Sequence, residues 1–264
     1  MKVYAVQRNI DWEKKEANFA GIRSLLTKEV IEANSLLVLP ETFSTGFSMN
    51  LRQTTLGEPK LTEDFLSSIA MERKCWITGG MIEPGKKKDK GINRSVTFSP
   101  IGEKIGSYAK IHPASMYGEE KFHTPGNKVE VFPLGPFHAC PLICYDLRFP
   151  EVFRIGMQKG ANLFIVIACW PKIRIDHWVN LLRARAIENL SYVIGVNRIG
   201  KEPKVEYGGR SLIIDPKGEV LTDAKEAECL IEAEINHATV MKWKKEFPAL
   251  ENARPDFLPL EGND

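Results

Sequence analysis

The sequence predicts an α/β fold, in which strands and helices alternate along a chain of 264 residues. Residues 36–39 and 163–167 are short, continuously apolar runs, which are typical of strands covered on both faces. Between such runs, residues 61–73 carry apolar side chains at helical spacing. No linker rich in Gly, Ser or Pro divides the chain. We therefore expect one domain over residues 1–264, with residues 248–264 as a C-terminal arm.

Apolar periodicity and turn residues place the other elements in order. The predicted strands cover residues 3–7, 36–39, 76–81, 96–98, 105–109, 129–132, 137–143, 163–167, 192–196, 212–214 and 229–235. The predicted helices cover residues 12–34, 61–73, 149–158, 177–189 and 236–245. The first helix is predicted from Phe19, Ile22 and Val30, and Gly160 is the expected C-cap of the third. The strand-rich stretch 96–143 is expected to be partly antiparallel.

Composition excludes several classes of function. Lys and Arg total 36 against 34 for Asp and Glu, so the net charge of +2 favours neither nucleic acid nor an anionic membrane as a partner. The sequence contains no run of eighteen apolar residues, so it predicts no membrane-spanning helix. The five cysteines are widely spaced and contain no CxxC pair, which predicts free thiols in a reducing, cytoplasmic compartment and no metal site.

Two charged residues stand where an apolar strand ends. Glu41 follows the run at 36–39, and Lys110 follows the strand at 105–109. The carboxyl ends of strands are where α/β sheets bind ligands, so both are candidate site residues. The alternatives are a helix N-cap or salt bridge for Glu41 and a solvated side chain for Lys110.

Cys144 ends the apolar strand at 137–143, and a helix is predicted to begin within a few residues. Such a strand-to-helix elbow exposes a nucleophile. The helix N-terminus is expected to lower the thiol pKa and favour the thiolate. The alternative is an inert buried cysteine. No such elbow surrounds the other cysteines, which we interpret as packing residues: Cys75, Cys140, Cys169 and Cys229.

Taken together, these motifs resemble the nitrilase superfamily of carbon-nitrogen hydrolases over nearly the whole chain. The matching segments are residues 39–43, 108–112, 143–150, 183–189, 195–198 and 211–218. The resemblance implies a four-layer α-β-β-α sandwich that assembles into dimers or larger homo-oligomers. It also implies catalysis without a metal or an organic cofactor.

The order Glu41, Lys110, Cys144 matches the catalytic triad of that superfamily. The resemblance implies that the Cys144 thiolate attacks an amide carbon and that Glu41 is the general base. It also implies that Lys110 and the backbone N–H of Tyr145 stabilise the oxyanion.

Members of the superfamily carry a second glutamate seven residues before a glycine in the loop after the lysine. Counting back from Gly126 selects Glu119. This residue is expected to orient Lys110 or the attacking groups. Glu120 remains the alternative, because a change of one residue in loop length would exchange the two.

Within the superfamily, the chain looks most like the omega-amidase branch, on residues 144–150, 170–171 and 181–197. Cys169 departs from that pattern, since a small or amide residue is typical there. The branch hydrolyses the terminal amides of short dicarboxylates, such as 2-oxoglutaramate and 2-oxosuccinamate, to acid and ammonia.

The far carboxylate of such a substrate needs a cation or a cluster of donors. The candidates are Tyr117, Arg148, Lys172 and Arg174. For Arg148 the alternative is a structural ion pair with Asp146 or Glu151. Trp170 and Phe43 are candidate apolar walls, although core residues would show the same sequence pattern.

Three other functions are considered, of which the first two keep the same fold. The triad is equally compatible with a nitrile, an N-carbamoyl compound or an aliphatic amide as substrate. A catalytically silent binding subunit is disfavoured because Glu41, Lys110 and Cys144 are all present. A papain-like protease needs an imidazole base, and none of the five histidines lies in a recognisable protease motif.

Overall fold

The computed structural model describes residues 1–254 and 256, so most of the predicted arm at 248–264 lies outside the described residues. The strands are β1 Lys2–Gln7, β2 Leu36–Val38, β3 Trp76–Pro84, β4 Gly91–Phe98, β5 Lys104–Ala109, β6 Phe132–Leu134, β7 Phe137–Ile143, β8 Leu163–Ala168, β9 Tyr192–Asn197, β10 Ile199–Lys201, β11 Glu206–Gly208, β12 Leu212–Ile214, β13 Val220–Asp223 and β14 Cys229–Glu234. The helices are α1 Lys15–Thr27, α2 Leu51–Thr54, α3 Lys60–Arg73, α4 Glu119–Phe122, α5 Pro150–Gln158, α6 Ile175–Asn189 and α7 His237–Glu246. Among these residues, no helix is both long and apolar enough to cross a bilayer.

Two six-stranded mixed sheets form the centre of the fold. The first sheet has the order β14-β1-β2-β3-β4-β5, and the second has the order β13-β12-β9-β8-β7-β6. Their central strands, β1 to β3 and β7 to β9, run parallel, and the flanking strands are antiparallel. The predicted α/β class is therefore confirmed, as is the antiparallel pairing expected between residues 96 and 143.

The alternation of side chains along the strands produces four layers. On β1, Val3 and Ala5 pack in the core that includes the second sheet, whereas Tyr4 and Val6 pack in the core that includes α1 and α3. On β8, the side chain of Ile167 lies close to β3 of the first sheet. The opposite face of the second sheet packs against α5 and α6. The expected α-β-β-α sandwich is thus confirmed.

The predicted first helix was too long at both ends. It begins at Lys15 because the Asn18 amide bonds the backbone of Asp11, with an N–H···O distance of 2.8 Å in each direction, and holds the preceding residues in a turn. It ends at Thr27, and Val30, which was assigned to its apolar face, is 84% exposed.

The strand predicted at residues 129–132 was also misplaced. Only Phe132 belongs to a strand, β6, and the carbonyl oxygen of Val129 accepts a hydrogen bond from the Lys159 ammonium instead. The elements that the periodicity missed have three or four residues each, which is too short to show a period. They are α2, α4, β10, β11 and β13.

Candidate active site

The three residues that follow buried strands converge at one end of the paired sheets. Glu41 lies just after β2, Lys110 directly follows β5, and Cys144 directly follows β7. The Lys110 Nζ atom lies 3.0 Å from Glu41 Oε1. The peptide of Cys169 connects them to the thiol: its N–H donates to Glu41 Oε2 at 2.7 Å, and its carbonyl oxygen lies 3.9 Å from Cys144 Sγ.

Glu119 completes the charged cluster. Its two carboxylate oxygens lie 2.8 and 3.1 Å from Lys110 Nζ, and they also accept hydrogen bonds from the Ala114 N–H at 2.6 Å and from His123 Nδ1 at 3.2 Å. Glu119 is fully buried, whereas its neighbour Glu120 is exposed. The structure therefore brings Glu119, and not Glu120, to the ammonium.

Burial and pairing act against each other in this cluster. Burial alone would lower the pKa of Lys110, but the charges of Glu119 and Glu41 outweigh it and hold that pKa well above its ordinary value. Burial would raise the pKa of Glu119, but Lys110, the His123 ring and the Ala114 N–H outweigh it and lower the pKa to about 2. Lys110 and Glu119 thus remain an ion pair across the physiological pH range.

The pKa of the Cys144 thiol is raised, whereas the sequence analysis expected it to be lowered. Burial raises the pKa of Cys144 well above its ordinary value, the charge of Glu41 raises it further, and Lys110 opposes only part of the shift. The expected influence of a helix N-terminus on the thiol pKa is weak, because a short 3₁₀ helix, Cys144–Arg148, separates β7 from α5. Cys144 is therefore a protonated thiol at rest, and it needs a base to become a nucleophile.

The backbone at the elbow is held in an unusual conformation. Cys144 has a φ angle of +49°, in the left-handed region that most residues avoid. The buried Asp146 carboxylate fixes this turn by accepting hydrogen bonds from the Ile143 N–H at 3.1 Å, the Tyr108 hydroxyl at 2.7 Å and the His112 N–H at 2.9 Å. The sequence analysis missed this role, although an acidic residue beside an apolar strand was a visible signal.

Cys144 opens onto a small cavity of about 20 Å³. Its lining comprises Phe47, Ala114, Met116, Tyr117, Cys144, Tyr145, Arg148, Cys169, Trp170, Pro171 and Arg174. Five of the predicted pocket residues are among them: Tyr117, Tyr145, Arg148, Trp170 and Arg174. Ligand pockets typically measure about 300–1,000 Å³, so this narrow cavity favours a short substrate.

Two predicted pocket residues lie elsewhere. Phe43 is fully buried in the core, with its ring 5.9 Å from that of Phe65, and Phe47 occupies the cavity wall instead. Lys172 is exposed, and its ammonium is ion-paired with Glu206 at 3.3 Å and Glu226 at 3.0 Å. Neither Phe43 nor Lys172 lines the cavity.

Cys169 was interpreted as a packing residue, and that interpretation was incomplete. It is buried, but it also lines the cavity beside Cys144. Its Sγ atom lies 3.3 Å from the carbonyl oxygen of Glu41 and 3.5 Å from Thr42 Oγ1. The residue that departs from the family pattern is thus a wall of the pocket and the support of Glu41.

The expected structural partners of Arg148, Asp146 and Glu151, do not pair with it. Its guanidinium lies 4.8 Å from the centre of the Trp170 ring and bonds His177 Nδ1 at 3.3 Å. Across residues 1–254 and 256, no carboxylate lies within 4.0 Å of the guanidinium of Arg148 or Arg174. Both arginines therefore present uncompensated positive charge at the cavity.

Comparison with known proteins places this geometry in a family. The family model of carbon-nitrogen hydrolases matches residues 2–245. The chain is 34% identical to a 2-oxoglutaramate amidase of Paenarthrobacter nicotinovorans, covering 99% of this chain and 92% of that protein. It is also 34% identical to the omega-amidase YafV of Yersinia enterocolitica, covering 94% and 95% of the two chains.

The fold of a solved relative agrees. A carbon-nitrogen hydrolase superfamily protein of Xanthomonas campestris, solved with an arsenic adduct in its active site, superposes with a TM-score of 0.88 at 27% identity. The match covers 98% of this chain and 99% of that one. The resemblance inferred from the sequence motifs is confirmed: the chain is an enzyme of the carbon-nitrogen hydrolase family.

Proposed function

We propose that this enzyme hydrolyses the terminal carboxamide of short dicarboxylic acid monoamides, such as 2-oxoglutaramate or 2-oxosuccinamate, to the acid and ammonia. The observation that carries the proposal is a small cavity lined by the Cys144 thiol and by Arg148 and Arg174, which have no carboxylate partner among residues 1–254 and 256. The names of two similar proteins, a 2-oxoglutaramate amidase and an omega-amidase, support the same reaction.

The two arginines are placed to bind the carboxylate at the far end of the substrate. A guanidinium binds a carboxylate through two parallel hydrogen bonds, which also fix its orientation. Arg174 donates to the hydroxyl of Tyr117, which lines the same cavity. Arg148 packs over the Trp170 ring, so its position is set without a protein carboxylate. A substrate carboxylate is the natural counter-ion for this pair.

The hydrogen bonds of the two glutamates support different roles for them. Each oxygen of Glu119 already accepts at least two hydrogen bonds, from Lys110 together with Ala114 or His123. Oε2 of Glu41, in contrast, accepts only the Cys169 N–H among the described residues. Glu41 thus has a free lone pair for the thiol proton, so we assign it as the general base and Glu119 as the residue that holds Lys110.

The first half of the reaction forms a thioester. The Cys144 thiol gives its proton to Glu41 as its sulfur attacks the amide carbon, and the carbonyl oxygen becomes an oxyanion. Lys110 and the backbone N–H of Tyr145 stabilise that oxygen; one such donor contributes about 3–4 kcal/mol in well-studied hydrolases. The protonated Glu41 then gives its proton to the leaving nitrogen, the carbon–nitrogen bond breaks, and ammonia leaves.

The second half releases the acid. A water molecule gives a proton to Glu41 and attacks the thioester carbon. The carbon–sulfur bond breaks, the proton returns from Glu41 to the Cys144 sulfur, and the product leaves as a carboxylic acid, which gives its remaining proton to the released ammonia or to solvent. The same carboxylate therefore serves as base in both halves.

Ammonia release from five compounds tests the proposal: 2-oxoglutaramate, 2-oxosuccinamate, succinamate, and the uncharged butyramide and butyronitrile. We expect turnover of the monoamides, with the highest kcat/KM for a 2-oxo acid, and little ammonia from the nitrile. A preference for the nitrile, or equal turnover of butyramide and succinamate, would contradict the proposed substrate class.

We also propose that the enzyme works in the cytoplasm as a homodimer or larger homo-oligomer, with a small amide as its partner and neither nucleic acid nor membrane. The five unpaired cysteines support a reducing compartment. Exposed apolar side chains on α6 and α7, Ile187 and Met241, support self-association. Light scattering coupled to size-exclusion chromatography measures the assembly, and a monomer at micromolar concentration would contradict it.

A further inference from the structure

Asn93 contacts both carboxylates of the buried cluster and the backbone of Lys110. It lies on β4, is 1% exposed, and its Nδ2 atom lies 2.8 Å from Glu41 Oε1 and 3.1 Å from Glu119 Oε1. Its backbone carbonyl oxygen accepts the N–H of Lys110 at 2.9 Å. One residue thus contacts both carboxylates through its side chain and the lysine through its main chain.

The chemistry of the partners fixes the orientation of the Asn93 amide. Both neighbours are carboxylate oxygens, which only accept hydrogen bonds when ionised, and the NH₂ group has two hydrogens to donate. The reverse orientation would place Oδ1 against two anionic oxygens. Asn93 therefore donates one hydrogen to Glu41 and the other to Glu119.

The charge balance explains why an amide suits this position. Two carboxylates share one ammonium, and the other ionisable groups that face them are the His123 ring and the thiols of Cys144 and Cys169, so the carboxylates outnumber the permanent cations of the cluster. Neighbouring carboxylates out of water favour protonation of one of them, which would disable the base. A second cation would remove that tendency but would also weaken the attraction of Glu41 for the thiol proton. An amide stabilises both anions through hydrogen bonds and adds no charge.

We propose that Asn93 is a positioning residue that keeps Glu41 ionised and directed at Cys144. The inference rests on the proposed role of Glu41 as general base. It differs from a purely structural role, because it predicts that Asn93 sets the lower pH limit of the reaction and not only the stability of the fold.

Two substitutions and one control test the inference. Asn93→Ala removes both donors, and Asn93→Asp adds a third carboxylate. Ser95→Ala is the matched control, since Ser95 lies two residues along the same face of β4, is equally buried, and its hydroxyl bonds no described residue. The thermal unfolding temperature of each variant shows whether it folds.

The first readout is the pH dependence of Cys144 alkylation by iodoacetamide, followed by mass spectrometry of the labelled peptide. The second is the pH profile of kcat/KM for succinamate. We expect the acid limb of both to move to higher pH by about one unit in Asn93→Ala and by more in Asn93→Asp. We expect kcat to fall about tenfold or more with a smaller change in KM. Ser95→Ala should retain the wild-type acid limb.

Folded Asn93 variants with the wild-type acid limb in both profiles would overturn the inference, even if kcat fell. So would an equal shift in Ser95→Ala. The alkylation readout needs no substrate, so it separates this inference from the proposed function. If the wild-type enzyme releases no ammonia from monoamides while the alkylation limb still shifts, the substrate class is wrong and the role of Asn93 stands.

Discussion

The two sheets contribute different kinds of group to the active site. The elements of the first sheet and the loop after it supply Glu41, Lys110 and Glu119, which are at most 2% exposed and bonded to one another. The second sheet supplies the thiol and, after its strands, the half-buried Arg148 and Arg174, which have no carboxylate partner among the described residues. Glu41, Lys110 and Glu119 therefore form a buried polar network that supports catalysis. Arg148 and Arg174 form the rim of the cavity, where the substrate is expected to be selected.

This difference has an energetic consequence. Removing one partner of a buried ion pair costs about 3–5 kcal/mol, because the other charge is left uncompensated. A half-exposed arginine can be replaced at a cost near that of an ordinary surface change, about 0.5 kcal/mol. Substitutions in the network are thus expected to affect catalysis and stability together, whereas substitutions at the rim should change specificity alone.

The largest expected effect is a loss of kcat, and it distinguishes the roles of the two thiols that line the cavity. Cys144→Ala should lower kcat by about 10⁶-fold, as removal of a nucleophile does in other hydrolases, and leave the protein folded. Cys169→Ala should retain activity within about tenfold, because the Glu41 carboxylate is held by the backbone N–H of residue 169, whereas the Cys169 thiol contacts only the backbone carbonyl oxygen of Glu41 and the Thr42 hydroxyl. Ammonia release measures both. The reverse order of effects would show that Cys169 is the nucleophile.

The next effect tests the base. Glu41→Gln keeps the size of the side chain but removes its ability to accept the thiol proton, so kcat should fall by about 10²–10⁴-fold. Because KM depends on the rim, it should change much less. Steady-state kinetics on succinamate give both constants, and a variant with normal kcat would exclude Glu41 as the base.

A smaller effect is expected at the rim. Arg174→Ala should lower kcat/KM for succinamate by about 10- to 100-fold, mainly through KM, since a charge-assisted hydrogen bond is lost. The uncharged butyramide should be affected little. Lys172→Ala is the control, because Lys172 lies outside the cavity and is already paired with Glu206 and Glu226. Equal losses for both substrates would show that Arg174 does not bind the carboxylate.

The last expected effect is on the stability of the fold as pH changes, and not on the rate. The pKa of Glu119 falls from its ordinary 4.5 to about 2 in the fold, so its ionised form stabilises the protein above pH 4.5, and this contribution is lost as pH falls toward 2. Glu119→Gln should therefore lower the unfolding temperature most above pH 5, with a difference that narrows in acid. Calorimetry between pH 2 and 7 checks this, and a constant difference would contradict the linkage.

The sequence predicted the residues whose positions depend on where strands end. Glu41, Lys110 and Cys144 each follow an apolar run, and that pattern is visible without coordinates. Asn93 was missed because its role depends on the pairing of β4 with β5, which brings its backbone beside Lys110. Asp146 was considered only as a partner of Arg148, since contacts 34 to 38 residues away have no local signature.

Neighbouring residues of similar chemistry explain the errors in the pocket. Phe43 and Phe47 lie in one loop, where no periodicity tells core from cavity. Lys172 and Arg174 share one 3₁₀ helix, and the glutamates that neutralise Lys172 are more than thirty residues away in the sequence. Cys169 looked like any apolar strand end, because its contact with Glu41 joins residues 128 positions apart.

The pairing of β1 with β14 bears on the order in which the molecule can be completed during translation. Lys2 faces Glu234 across this pair, and the N-terminal ammonium of Met1 donates to the carbonyl oxygen of Ile235 at 2.7 Å. During synthesis, β1 therefore stays unpaired along this edge until β14 has been made. A nascent chain that already contains Glu41, Lys110 and Cys144 but not β14 still has an open edge in its first sheet.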